Sequence, residues 1–181
     1  MKLQTGSYYH LYNRSNNQEL VFRTQDNYLY FLKNFRKRFD GLLTVFAYCL
    51  MPTHFHFLIR VDTHKINELR QKIGIQLSSY TKALNKVFQR NGSLFQQHTK
   101  AKHIDDRSYL LTILTYIHQN PIRAGLVKEL QAWPYSSYPD LADLRNGTLV
   151  DPLIINQYFN SVEDFRIFSK QTIHTIEKKY F

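Results

Sequence analysis

The chain has 181 residues, 43% of them hydrophobic, with 13 Phe and 13 Tyr; that is a globular composition with enough length for one cored domain, and it excludes a disordered chain. Its 24 Lys and Arg against 14 Asp and Glu leave a formal net charge of +10, which with the aromatic content points to a polyanionic partner, nucleic acid first. No apolar run approaches the roughly 20 residues of a membrane helix, the N-terminus lacks the apolar core of a signal peptide, and the single Cys49 excludes an intramolecular disulfide or a cysteine-built zinc site, so a cytoplasmic protein without a membrane partner is expected.

In chain order, residues 7–14 alternate well enough for a first strand, and 15–19 are a polar loop. Asp26 reads as the N-cap of a helix through about Phe39, with Leu29, Leu32, Phe35, Arg36 and Phe39 on one face and Gly41 ending it. Residues 42–50 read as a second strand, Met51-Pro52-Thr53 as a turn and 54–61 as a third strand, together a hairpin with two histidines near its tip. A long helix is predicted over 65–90, its apolar face made by Leu69, Ile73, Leu77, Tyr80, Leu84 and Val87-Phe88, stopped by Asn91-Gly92. Residues 93–104 give a loop and a short strand. Asp106 opens a third helix with Leu110, Leu111, Leu114, Ile117 and His118 on or near its inward stripe. It is expected to end before Pro121, because proline disfavours the α region in the preceding residue. Residues 121–137 read as loop, and 138–181 as short helices forming a C-terminal extension to a domain of residues 1–137. The order β-α-β-β-α-β-α predicts an α+β sandwich of ferredoxin-like character, an antiparallel or mixed sheet with helices mainly on one face.

On a strand, residues i and i+2 share a face, so His54 and His56 stand side by side and Phe55 points away. Neutral imidazole is the commonest protein metal ligand, although a His-x-His pair alone is ordinary. Tyr116 and Asn120 are four apart and present a phenol and a carboxamide on one helix face; an amide oxygen can coordinate a hard divalent ion. If that helix packs on the histidine strand, His54, His56 and Asn120 form a three-ligand site beside Tyr116. A phosphodiester held there would be polarised, and the phenolate could attack phosphorus. Taken singly, Tyr116 is a core or rim residue and Asn120 a helix end. His118, about 200° around the helix from Tyr116, reads as a hydrogen-bonded core histidine. Arg14, Lys82, Lys86, Arg90, Lys100, Lys102 and Arg123 are candidates for phosphate contact.

Five segments also carry a family resemblance: Tyr9-His10-Leu11-Tyr12-Asn13-Arg14, Met51 through Ile59, Gly92-Ser93-Leu94-Phe95-Gln96, Tyr116 through Val127, and Trp133 through Tyr138. In this order and spacing the chain resembles the HUH-type single-tyrosine transposases, and most of all their REP-associated branch, over roughly residues 8–138. The resemblance implies a ferredoxin-like catalytic domain acting on single-stranded DNA, often folded as a hairpin. It implies His54 and His56 as metal ligands, Asn120 as the third, and Tyr116 as a nucleophile that leaves a 5′-phosphotyrosine and a free 3′-hydroxyl. Thr53 departs from the family's usual Asn, at a position that is not a ligand. Arg14 and Arg123 lie inside the family-like segments, ahead of Lys100 and Lys102 as DNA contacts.

The expected function is a DNA endonuclease and strand transferase using Mg²⁺ or Mn²⁺. The competing readings are a non-catalytic hairpin-binding regulator on the same fold and a phosphodiesterase that activates water. Some members of the family share their active sites across a homodimer, so the sequence leaves open whether Tyr116 acts in cis or in trans.

Overall fold

The computed structural model describes residues 1–171. Strand β1 (Tyr8–Arg14) is followed by α1 (Gln25–Phe39), the hairpin β2 (Leu43–Met51) and β3 (His54–Val61), α2 (Ile66–Val87), β4 (Lys100–Ile104) and α3 (Arg107–Arg123). The strands form one sheet in the order β2-β3-β1-β4, every pairing antiparallel. This is the ferredoxin-like α+β arrangement the element order predicts. Three short helices follow, α4 (Tyr138–Leu141), α5 (Leu153–Tyr158) and α6 (Val162–Ser169). The last ten residues of the expected extension lie outside the described residues.

Strand alternation sorts the sheet into two faces. Tyr9, Leu11, Phe55, Phe57 and Ile59 turn to one side and are buried there, under α1 and α2. Phe35 stacks on Phe57 at 4.1 Å between centroids, and Phe31 meets Phe55 at 5.4 Å and Tyr80 of α2 at 5.1 Å. Burying a side chain of this size stabilises by about 1.5–3 kcal/mol. The opposite face carries His10, Tyr12, His54 and His56 and is covered by α3, whose Tyr116 ring reaches His10 and His56.

Local detail departs from the sequence reading in four places. The N-cap of α1 is Thr24, not Asp26, because Asn27 Oδ1 accepts from the Thr24 and Arg23 backbone N–H groups. The buried stripe of α1 is Tyr28, Phe31, Phe35 and Phe39; the expected Phe35 and Phe39 are thus buried and Leu32 packs partly on the core, but Leu29 is 51% exposed. Both stripes have helical spacing, and the aromatic face of the sheet selects the aromatic one. On α2, Gln76 is buried beside the predicted stripe, its amide donating to the Phe31 carbonyl and accepting from Arg38, while Leu77 is partly buried against the core. Finally, α3 runs through Pro121 to Arg123. Proline here forfeits its own N–H bond and crowds the carbonyl four residues before it, and the ladder continues around it with Ala124 N–H to the Asn120 carbonyl and Leu126 N–H to the Pro121 carbonyl, both 2.9 Å. Gly125 then closes the turn at φ +69°.

The segment read as a plain loop has two jobs. Its first three residues are helical, and residues 133–137 line edge strand β2. Leu50 N–H donates to the Tyr135 carbonyl and Ser137 N–H to the Tyr48 carbonyl, both 2.9 Å, and Trp133 Nε1 donates to the Leu50 carbonyl at 3.0 Å. An edge covered in this way no longer offers free backbone groups to another chain. Beyond it, Tyr138, Leu141, Ile154, Ile155 and Phe165 are buried in the same core. His118 faces them: its Nε2 is 2.9 Å from Ser137 Oγ, and its ring packs on Tyr138 and Phe165. It is the core histidine its angular position predicted.

Candidate active site

The site forms where the tip of the β2–β3 hairpin meets the last two turns of α3. In the sheet, Tyr12 pairs with His56 and Arg14 with His54 across β1–β3, and Cys49 and Met51 flank the two histidines from β2. The His54 and His56 rings lie on one face, 5.0 Å apart at 82°. The Tyr116 ring stands edge-on to His56 at 5.5 Å. Tyr116 thus meets the histidines of its own chain.

Asn120 links the pieces. Its Nδ2 donates to the Tyr116 carbonyl at 3.0 Å, and its side chain also bonds to His54 and to the Tyr116 phenol. Because α3 continues through Pro121, Asn120 keeps helical geometry one turn beyond Tyr116. The conditional step in the sequence reading, that this helix packs on the histidine strand, is therefore met.

Burial governs the protonation states. His56 is fully enclosed, and desolvation followed by the neighbouring His10 and His54 holds its pKa well below 6.5. Desolvation lowers His54 too; the Asn120 bond opposes this and Arg14 adds to it. Both imidazoles are therefore neutral at pH 7, the form that binds metals. Desolvation raises Tyr116 above 10, opposed by the Asn120 hydrogen bond and by Arg123, whose guanidinium carbon lies 5.7 Å from the ring centre.

These groups fit a divalent ion. His56 Nε2 is buried and has no hydrogen-bond partner among the described residues, an atom suited to a ligand from outside the chain. No group of three or more His, Cys, Asp or Glu among the described residues is placed to hold a metal ion, so a third protein donor would come from another residue type, and Asn120 is beside His54. Two imidazoles and an amide oxygen suit Mn²⁺ somewhat better than Mg²⁺.

Four of the candidate DNA contacts surround this face. Arg14 ends β1 opposite His54, Lys100 and Lys102 pair across β1–β4 with Tyr12 and His10, and Arg123 closes α3 over Tyr116. The other three are elsewhere. Arg90 is held by Glu19 at 2.6 Å, with its side chain 9% exposed, and Lys82 and Lys86 belong to α2 on the far side of the sheet.

His10 lies within a family-like segment to which the sequence attaches no role. It is fully buried, with Nε2 2.9 Å from His56 Nδ1. Desolvation, then Lys102, brings its pKa to about 3. Tyr12 stacks on it at 4.6 Å. The i, i+2 alternation of His10, Tyr12 and Arg14 puts all three on one face, but only the register of β1 against β3 shows that this face is the histidine face.

A ferredoxin-like sheet carrying paired histidines, with a helix-borne tyrosine and asparagine closing over them, defines a class of protein. The profile of the family described as "Transposase IS200 like" matches residues 4–120. The chain belongs to that family. It is 30% identical over 100 residues to a Haemophilus influenzae protein provisionally named a REP-associated tyrosine transposase; the match covers 51% of this chain and 57% of that relative. Its fold is similar to a solved structure of a REP-associated tyrosine transposase bound to a REP hairpin, with a TM-score of 0.61, 18% identity and 97% of each chain covered. Among the described residues no helix is long and apolar enough to cross a membrane.

Proposed function

We propose that this protein is a metal-dependent single-strand DNA endonuclease and strand transferase that acts on hairpin-forming DNA, with Tyr116 as its nucleophile in cis. The observation that carries the reading is the convergence on Asn120, whose one side chain contacts both His54 and Tyr116. Family membership and the hairpin held by the structural relative support the choice of substrate.

His54, His56 and Asn120 would hold Mg²⁺ or Mn²⁺, which when bound supplies Lewis-acid polarisation of the scissile phosphate. The remaining chemistry belongs to the chain. Arg123 and Asn120 favour the phenolate of Tyr116 against the cost of burial. The phenol proton passes to solvent, and the phenolate oxygen forms a bond to phosphorus. The bond from phosphorus to the 3′-oxygen breaks, and that oxygen leaves as a hydroxyl after taking up a proton. The resulting 5′-phosphotyrosine conserves the ester, so a 3′-hydroxyl can displace Tyr116 and rejoin a strand without ATP. Arg14, Lys100, Lys102 and Arg123 contact backbone phosphates and hold the strand across the site. Residues 1–137 supply this machinery, with 138–181 as an extension whose described part, through Gln171, packs against α3, in a cytoplasmic protein.

Covalent trapping tests the reading. Labelled single-stranded hairpin oligonucleotides from sequence flanking the gene are incubated with protein and Mn²⁺, then separated on a denaturing gel. A metal-dependent labelled protein band is expected. Tight hairpin binding with no band would favour a regulator, and cleaved DNA with no band would favour water as nucleophile.

A further inference from the structure

We infer that His10 is a positioning residue that fixes which nitrogen of His56 is available to a metal. The inference rests on the reading of His54, His56 and Asn120 as a metal site.

The geometry couples the tautomer of His56 to that of His10. Its Nδ1 lies 2.9 Å from His10 Nε2, and two ring nitrogens at that distance share one proton: one carries N–H and the other offers its lone pair. Its second nitrogen, Nε2, is buried with no hydrogen-bond partner among the described residues. A nitrogen binds a metal only through its lone pair, so a ligating Nε2 requires the proton on Nδ1, and His10 Nε2 must then be the acceptor. In that tautomer both nitrogens of His56 are used. In the other, Nε2 carries the proton and offers an ion no lone pair.

His10 is itself held for this task. It sits in the middle of β1, between β3 and β4, in register with Leu58 and Lys102. Its ring lies nearly parallel to that of His56, at 25° and 5.0 Å, and Tyr12 stacks on it. A related arrangement recurs at His54, where Thr53 Oγ1 stands 3.0 Å from Nδ1. Each histidine thus has its Nδ1 engaged by a neighbour, and outer partners of this kind commonly set ligand tautomer and affinity.

The test compares full-length wild type with His10→Gln, whose amide oxygen can replace the acceptor, and His10→Leu, which removes it. Mn²⁺ binding to metal-free protein is measured by calorimetry, and thermal unfolding reports the fold. Wild type is expected to bind one Mn²⁺, His10→Gln to bind within about threefold of it, and His10→Leu to bind about 10–100-fold more weakly. Long-range ¹H–¹⁵N spectra of metal-free wild type are expected to show His56 protonated on Nδ1. Wild-type affinity in His10→Leu, a Gln variant as weak as the Leu variant, or a His56 proton on Nε2 would each overturn the inference. Should His10→Leu fail to fold, the Gln variant and the spectra decide by the same criteria. Wild type that binds no Mn²⁺ would sink the metal-site reading itself, and this inference with it.

Discussion

Asn120 Nδ2 donates to the Tyr116 carbonyl at 3.0 Å, so one turn of α3 fixes a candidate third ligand and a candidate nucleophile to each other. The arrangement depends on the helix surviving Pro121, and it brings a phenol to the histidine face already oriented. Orientation of this kind lowers the barrier to attack before any electrostatic effect is counted.

Removing the Tyr116 hydroxyl separates chemistry from binding. Tyr116→Phe is expected to abolish the covalent adduct while hairpin affinity stays within about fivefold, since at most one neutral hydrogen bond of about 0.5–1 kcal/mol is lost. Gel trapping and fluorescence anisotropy on the same oligonucleotide check it. A persistent adduct would remove Tyr116 from the nucleophile role.

Loss of a ligand should be felt as loss of metal. His54→Ala is expected to weaken Mn²⁺ by more than the about 10–100-fold typical of an outer-sphere partner, and Asn120→Ala to do so by a smaller factor. His54 is the better test than His56 because it is half-buried rather than enclosed, so its truncation disturbs the core less. Calorimetry with Mn²⁺ checks this, and cleavage unaffected by EDTA would refute the metal requirement.

Phosphate contacts reveal themselves through salt. Replacing Arg14, Lys100 or Lys102 singly by Ala is expected to weaken hairpin binding and to lower the slope of log K against log salt by about 1 each. Arg90→Ala should leave that slope unchanged, because Arg90 is engaged by Glu19 at 2.6 Å. Equal slopes in all four variants would place the DNA on another surface.

Two pH effects follow from burial. Arg123 favours the Tyr116 phenolate, so Arg123→Ala raises the phenol pKa further and should shift the alkaline rise of the cleavage rate to higher pH. Separately, His10 and His118 are held neutral with pKa values of about 3. Below pH 6.5 the unfolded chain gains protons that the folded state refuses, so stability falls as pH drops from 6.5 toward 3. At about 1.4 kcal/mol per unit, each should account for a loss of about 2 kcal/mol by pH 5. Urea unfolding in EDTA at pH 7 and pH 5 measures the sum; equal stability at the two values would contradict the burial of these rings.

Much of the site was written locally. Strand alternation alone puts His54 and His56 on one side of Phe55, and the four-residue spacing alone puts Tyr116 and Asn120 on one side of a helix. These are properties of a few consecutive residues, set by backbone periods of 2.0 and 3.6. The element order was likewise legible, because each hydrophobic pattern is local and the turn residues between them are distinct.

What the sequence could not determine is what those faces meet. The stripe α1 buries, the passage of α3 through Pro121, the cover on β2 and the role of His10 all depend on residues far apart in the chain. Helical spacing admits both the leucine and the aromatic stripe of α1; only contact with Phe55 and Phe57 selects between them. His10 and His56 are 46 residues apart, and a shift of one residue in the β1–β3 pairing would turn His10 to the opposite face. Local periods specify faces, whereas register and packing, which are set by the whole core at once, decide which faces come together.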